Sequence, residues 1–248
     1  MRTKAVNTVL VILGFAIIMV VATVALVLRI VSFGLLTNFN RKYLIPFLAN
    51  SILKMFGIHL ENTVHLPHFH QPHFYTFNHS SFLDGFILMS LRLTDARILL
   101  SEVTLKYIPF TIAALSIGVL YIPTKENRSR RLKFFMELEQ RIKREKFSMV
   151  GSSEGVHKHF HTIAGFNRGV YHTALVCGMP IVALFIYTPI ESNPHCDFRP
   201  MKKGHVRIEL LNIIPTASWT LENLDAHIED VRRQYVARFN ELHDVQTT

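Results

Sequence analysis

Cysteine is nearly absent from this chain: Cys177 and Cys196 are the only two in 248 residues. That excludes a disulfide-stapled miniprotein, and a chain of this length buries a core without covalent staples. Charge is scarce too, at 18% of residues against 49% apolar ones, with phenylalanine alone at 19 positions. So much apolar surface excludes a disordered chain. Internal repeats and low-complexity tracts are also missing. Acidic residues are absent before Glu61, whereas Arg2, Lys4, Arg29, Arg41, Lys42 and Lys54 precede it. Six basic residues of a +9 chain therefore sit unopposed in its greasiest part. No finger, glycine-rich RNA module or recognition-helix pattern accompanies them, so nucleic acid is not the partner. Basic and apolar together point to a membrane surface.

What is present at the amino terminus is one long uncharged run, Ala5 to Leu28. At ~1.5 Å per residue it is long enough to cross a hydrocarbon core of roughly 30 Å. A buried core helix would need protein on every side for more than six turns. A cleaved signal peptide has a shorter apolar region and a small-residue cleavage site, which Arg29 does not supply. An uncleaved anchor is the reading. A second apolar piece, Ile30 to Leu36, leaves a bent or re-entrant pair of helices open. Basic residues flank both ends, so the positive-inside balance sets no orientation. The following stretch, RKYLIPFLANSILKMFGIHL, mixes basic residues with Leu44, Phe47, Leu48, Ile52, Leu53 and Phe56. It reads as a helix lying in the interface, kinked or started at Pro46. The chain thus divides into residues 1–56, a membrane anchor with interfacial helices, and a domain over 57–248.

Beyond about His65, short apolar runs alternate with amphipathic stretches. Strands are expected at 73–77, 96–100, 119–123, 147–150, 181–187 and 205–211. Helices are expected from Ser80 or Ser81 as a cap, over 125–146 with Leu132, Phe135, Met136 and Ile142 buried, over 168–177 and over 221–242. Apolar strands alternating with helices make this an α/β layered fold.

NHSSFLD carries the most specific chemistry. Within one helix, His79 and Asp84 would stand about 140° apart and not meet. They can meet if His79 leaves the strand on a loop and Asp84 opens the next helix. Asp84 can then fix one imidazole nitrogen and leave the other to take a proton from a hydroxyl. Glu154-Gly155, in a glycine-bounded turn after an apolar strand, is a candidate for binding an acceptor hydroxyl or ordering the site. Two histidine clusters, His65–His73 and His157–His161, lack the defined geometry of a zinc site, so no metal is expected. The basic run at 125–146 is a solvated helix face, suited also to anionic headgroups or to an acidic carrier.

Taken in order, these motifs resemble the lysophospholipid acyltransferase family, which includes 1-acylglycerol-3-phosphate and glycerol-3-phosphate acyltransferases. NHSSFLD resembles its N-H-x4-D motif. LKYIPFTIAALSIGVLYIP resembles its second block, with Lys106, Pro109 and Gly118 in place. Glu154-Gly155 stands where the family has its E-G pair, GFNRG resembles the step after it, and MPIVALFI resembles the fourth block. The resemblance covers roughly residues 56–215 and implies a glycerolipid acyltransferase-like α/β domain behind a membrane-associated amino terminus. It implies His79 as general base, Asp84 as its orienting carboxylate, and substrate contacts at Asn78, Lys106, Glu154 and Gly155.

Departures bear on the acceptor. Thr124 stands where the second block ends in arginine, and Val156 and His157 follow the E-G pair where the family has Thr-Arg. Ala183 replaces a second proline. The absent arginines are those the family turns to an acceptor phosphate, and a guanidinium's bidentate bonding has no like-for-like substitute. His157, Arg128 and Arg168 are the candidate replacements, with Arg130 and Lys158 nearby.

The implied reaction takes a fatty acyl group from acyl-CoA or acyl carrier protein, needs no cofactor beyond that co-substrate, and delivers it to a lysolipid hydroxyl. Membrane lipids are the remaining partners. A lipid acceptor without phosphate, offering hydroxyl or amine, and an ester or thioester hydrolase using the same His–Asp pair are the alternatives. A covalent acyl-enzyme on Ser80, Ser81 or Cys177 has no G-x-S-x-G elbow to support it. Residues 107–122 are candidates for the wall of an acyl channel as well as for plain core. Cytosolic donors would place the domain on the cytoplasmic face of a membrane, the inner membrane in a bacterium.

Overall fold

A computed structural model describes residues 4–155, 162–194 and 197–247. In chain order the elements are α1 (Lys4–Val31), α2 (Thr37–Phe39), α3 (Ile45–Phe56), β1 (Ile58–Asn62), β2 (Phe74–Phe77), α4 (Leu83–Ser90), β3 (Ala96–Ser101), α5 (Ile108–Ile117), β4 (Leu120–Ile122), α6 (Arg128–Glu145), β5 (Ser148–Ser152), α7 (Arg168–Val176), β6 (Ile181–Tyr187), β7 (Gly204–Ile214) and α8 (Leu224–Thr247). The α/β alternation read from the sequence is present. Compactness divides the chain differently from the partition at residue 56. One unit holds residues 1–61, 81–121 and 188–207; the other holds 62–80, 122–187 and 208–248.

In the first unit, α1 is a single 28-residue helix, and among the described residues it alone is long and apolar enough to cross a membrane. Only 22% of its most apolar window is buried, against what a core helix requires. The buried positions are Asn7, Gly14, Ile18, Ala22 and Ala25, a narrow stripe of mostly small residues that admits α3 and α5 closely. Asn7, polar and buried in that stripe, donates from Nδ2 to the carbonyls of Arg199 (2.8 Å) and Met201 (2.9 Å). A turn through Phe33 and Gly34, both at positive φ, returns the chain.

A π-helical segment, Asn40–Leu44, precedes α3, whose first turn contains Pro46. Proline has no N–H to continue the ladder, and the widened turn ahead of it accommodates the ring. The kink or start expected at Pro46 is therefore there, and one face of α3 is packed against neighbouring helices. Leu48, Ile52, Leu53 and Phe56 are buried against neighbouring helices, and of the expected lipid-facing set Phe47 alone is strongly exposed. Core-facing and lipid-facing stripes share one periodicity, so the pattern could not separate them. In this unit β1 lies beside the opening of β7, and β4 beside β3.

In the second unit the strands run β7-β6-β2-β5. β2 pairs in parallel with both neighbours, Phe74 opposite Met149 and Ile181, and Phe77 opposite Ser152 and Leu184. Parallel strands covered on both faces are near-continuously apolar, and every residue of β2 is buried, Thr76 being the polar exception. α6 forms where the basic run predicts a helix, capped by Asn127 Oδ1, which accepts from Arg130 N–H at 3.2 Å. Its expected stripe is corrected. Leu132 is 64% and Met136 54% exposed, while Leu138 and Ile142 are buried and Phe135 lies over Gly169.

Candidate active site

β2 ends by delivering Asn78 and His79 onto a loop. Asn78 is buried, and its side chain is fully engaged by one residue of β6: Nδ2 donates to Ile186 O and Oδ1 accepts from Ile186 N–H, both at 2.8 Å. It holds the strand end from which His79 departs. His79 lies on the loop and Asp84 in the first turn of α4.

The helix start carries its own lock. Ser81 Oγ accepts from Leu83 N–H at 3.1 Å, and Asp84 Oδ2 accepts from Ser81 N–H at 2.9 Å. This reciprocal capping arrangement selects Ser81, of the two serines, as the cap. Asp84 is fully buried, and a carboxylate at a helix N-terminus is stabilised by the backbone dipoles there.

Glu154 is buried too, with both carboxylate oxygens on backbone N–H groups: Oε1 accepts from His79 and Oε2 from Ala164, each at 2.9 Å. Of the two roles expected for it, ordering the site is the one its oxygens perform. Gly155 follows at φ +75°, where an L side chain is strained, and a Cβ there would run into the Asn167 amide. That amide donates to the carbonyls of Ser153 (3.4 Å) and Glu154, while Asn167 N–H donates to Ser153 O at 2.6 Å. The E-G turn is thus stapled to the segment that opens α7.

Beneath the turn lies a group that sequence reasoning missed. Ser153 Oγ and Tyr171 OH are 2.9 Å apart, Thr76 Oγ1 and Tyr235 OH 3.2 Å apart, and Tyr235 OH donates to Thr76 O at 3.1 Å. All four residues are buried. Burial pushes both phenols above their ordinary range, so they remain hydroxyls. Tyrosines at helix positions read as core, and only the hydroxyl-bearing partners on β2 and after β5 could have hinted otherwise.

The remaining expected substrate contacts disperse. Lys106 is exposed at the end of a 3₁₀ turn, with Nζ 5.1 Å from the centre of the Tyr107 ring. Arg128 is exposed at the first position of α6. Arg168 pairs with Asp225 and donates from Nη2 to Leu221 O at 3.1 Å, so it ties α7 to the approach to α8. Val156, His157 and Lys158 lie outside the described residues. Among the described residues no cluster of three His, Cys, Asp or Glu side chains is arranged to hold a metal ion.

The first unit contains a small apolar recess of about 30 Å³, walled by Phe15 of α1, Phe56 of α3, Phe86 of α4, Phe110 of α5 and Phe198. Phe110 meets Phe15 and Phe86 edge-on, with ring centres 6.0 and 5.8 Å apart. From the expected channel segment 107–122, only Phe110 reaches this recess; Ala113, Ala114 and Ile117 are core.

A family model described as Acyltransferase matches residues 57–187, just over half of the chain. The sequence is similar to the 1-acyl-sn-glycerol-3-phosphate acyltransferase of Haemophilus influenzae, 24% identical over 178 residues, 67% of this chain and 69% of that protein. The structure is similar to the crystal structure of the 1-acyl-sn-glycerophosphate (LPA) acyltransferase PlsC from Thermotoga maritima, with a TM-score of 0.65, 14% identity, and coverage of 92% of this chain and 98% of that one. At that identity the likeness is one of fold, and it agrees with the α/β reading.

Proposed function

This chain belongs to the acyltransferase family, and from that premise we propose that it is a membrane-bound enzyme transferring a fatty acyl group from acyl-CoA or acyl carrier protein to a lysophospholipid hydroxyl. Lysophosphatidate is the first acceptor to try, because both similar proteins are named for it. A hydroxyl is a poor nucleophile at neutral pH. His79 removes its proton as the oxygen attacks the thioester carbonyl, and Asp84 orients and steadies the imidazolium. Backbone N–H groups stabilise the tetrahedral oxyanion. Collapse breaks the carbon–sulfur bond, the proton returns from His79 to the departing thiolate, and the new ester leaves. The donor arrives activated, so the residues only position groups and move one proton.

The observation that carries this reading is the Glu154 carboxylate, which holds the backbone of His79 from the E-G turn. Two motifs that are far apart in sequence act on one residue. The small aromatic recess supports an apolar contact for part of an acyl substrate. α1 supports membrane attachment, and a cytosolic donor supports a catalytic domain on the cytoplasmic face.

The test is protein in membranes with labelled acyl donors and a panel of lysolipid acceptors, beside His79→Ala. Product is expected with wild type and to fall by about 10²–10⁴-fold in the variant. Equal product from both would remove His79 as the base; free fatty acid without acylated acceptor would make the protein a hydrolase.

A further inference from the structure

One arm of the hydrogen-bond network around the E-G turn leads out to α8. Arg232 donates from Nε to Ala164 O (3.0 Å) and from Nη2 to Ile163 O (3.1 Å). Ile163 O and Ala164 N–H are the two ends of one peptide group, and that N–H is the donor to Glu154 Oε2 at 2.9 Å. The guanidinium and the carboxylate therefore face each other across a single planar amide. A cation on the carbonyl side polarises the amide and strengthens the bond made by its N–H. Glu154 Oε1 holds the backbone N–H of His79 at the same distance.

The same face of α8 reaches the other side of the arrangement. Tyr235, three residues on from Arg232 and so beside it on the helix, donates to Thr76 O of β2, three residues ahead of His79. Its ring also meets Phe166 edge-on, two residues after Ala164, with ring centres 5.2 Å apart. Glu154 bridges two N–H groups, and α8 is bonded to the chain close to each of them. All of these residues lie in the second unit. Burial of Leu224, Ile228 and Val231 already anchors α8, so anchoring alone does not call for a guanidinium aimed at this peptide.

We propose that Arg232 and Tyr235 are positioning residues for the transfer reaction, with α8 fixing, through Glu154, the place of the His79 backbone. The inference rests on the reading of His79 as the base, and neither residue belongs to the motifs that carry the family resemblance. Arg232 acts through the Ile163–Ala164 peptide and Tyr235 through the end of β2. The pair that Arg232 Nη1 makes with Glu229 at 2.9 Å leaves Nε and Nη2 to the two carbonyls. A lysine offers one point charge in place of a fork that spans both, so it is not equivalent.

Full-length Arg232→Gln, Arg232→Lys, Tyr235→Phe and Arg233→Gln are compared with wild type in neutral-detergent micelles. Arg233 pairs with Asp230 on the exposed side of α8 and controls for the loss of one charge from that helix. Steady-state transfer is measured well below each Tm. Arg232→Gln is expected to lower kcat about tenfold with KM within about twofold. Arg232→Lys recovers only part of that loss, Tyr235→Phe loses about threefold, and Arg233→Gln stays within about twofold of wild type. Because Arg232 acts through Glu154, adding Arg232→Gln to Glu154→Gln lowers kcat by no more than about a further twofold. Amide hydrogen exchange gives a reading that needs no turnover. Arg232→Gln speeds exchange at Ala164 and His79 about tenfold, and Arg233→Gln leaves both unchanged. Unchanged exchange at His79, or losses that multiply in the double variant, would overturn the inference. A wild type without transfer activity would sink the enzymatic reading instead, and exchange at His79 would still decide whether α8 holds the loop.

Discussion

The interiors of the two units are built on opposite plans. The first encloses phenylalanines from four helices around a recess, and nothing in that wall depends on a particular hydrogen bond. The second places a carboxylate and four hydroxyl-bearing residues, one of them on β2, among buried parallel strands, and their placement depends on hydrogen bonds. Dispersion and burial tolerate a change of shape at modest cost, because they are summed over many weak contacts. A buried polar group stripped of its partner costs the full desolvation of what remains. The first plan tolerates changes of shape, and the second holds particular groups in one place.

The comparison breaks most visibly at Glu154. Glu154→Ala takes the carboxylate acceptor from two half-buried N–H groups, those of His79 and Ala164. A loss of roughly 3–5 kcal/mol of stability is expected by thermal unfolding. Acyl transfer should fall at least about 100-fold in protein that remains folded, since small misplacements at a reacting group are that costly. Near-normal turnover would show that the His79 loop keeps its geometry without the carboxylate. Gly155→Ala ranks next. The residue must keep φ +75° and displace the Asn167 amide, a cost of about 1–3 kcal/mol, with kcat reduced more than KM.

The recess should respond differently. Phe110 is half-buried against Phe15 and Phe86 beside an existing void. Phe110→Ala is therefore expected to cost about 1–2 kcal/mol, less than truncation in a closed core. Activity should survive. In a competition among donors of different length, the preference should move toward longer or bulkier chains, and an unmoved preference would separate the recess from the acyl group.

The same contrast governs what could be read from the sequence. β6 was legible because a fully covered parallel strand needs a near-continuous apolar run, and β2 because its aromatic residues favour a strand. The placement of His79 before α4 and Asp84 within it followed from a strand end and a serine cap only residues apart. Local signals of that kind survive folding. Ala164 as a partner of Glu154 left no trace, because a backbone N–H has no letter in the sequence. Tyr171 and Tyr235 pass for core until their hydroxyls are located. The α6 stripe was misphased because Leu132 and Met136 are as apolar as Leu138, and only packing decides which turn faces inward.

Cys177 bounds the polar plan from outside and carries the smallest expected effect. It is half-buried at the end of α7 and contacts Glu139 O through Sγ at 3.9 Å. Burial, with the charge of Glu139 second, pushes its thiol up to about 11. The sign follows directly: at pH 8, three units below that value, about one thiol in a thousand is ionised. Alkylation by iodoacetamide at pH 8 should therefore be far slower than for an ordinary exposed cysteine and should accelerate as pH approaches 11. A thiol kept protonated is a poor nucleophile, so Cys177→Ala should leave transfer within about twofold of wild type. An acyl group trapped on Cys177, with transfer abolished in the alanine variant, would replace direct transfer by a covalent route and move the chemistry off the His79 loop.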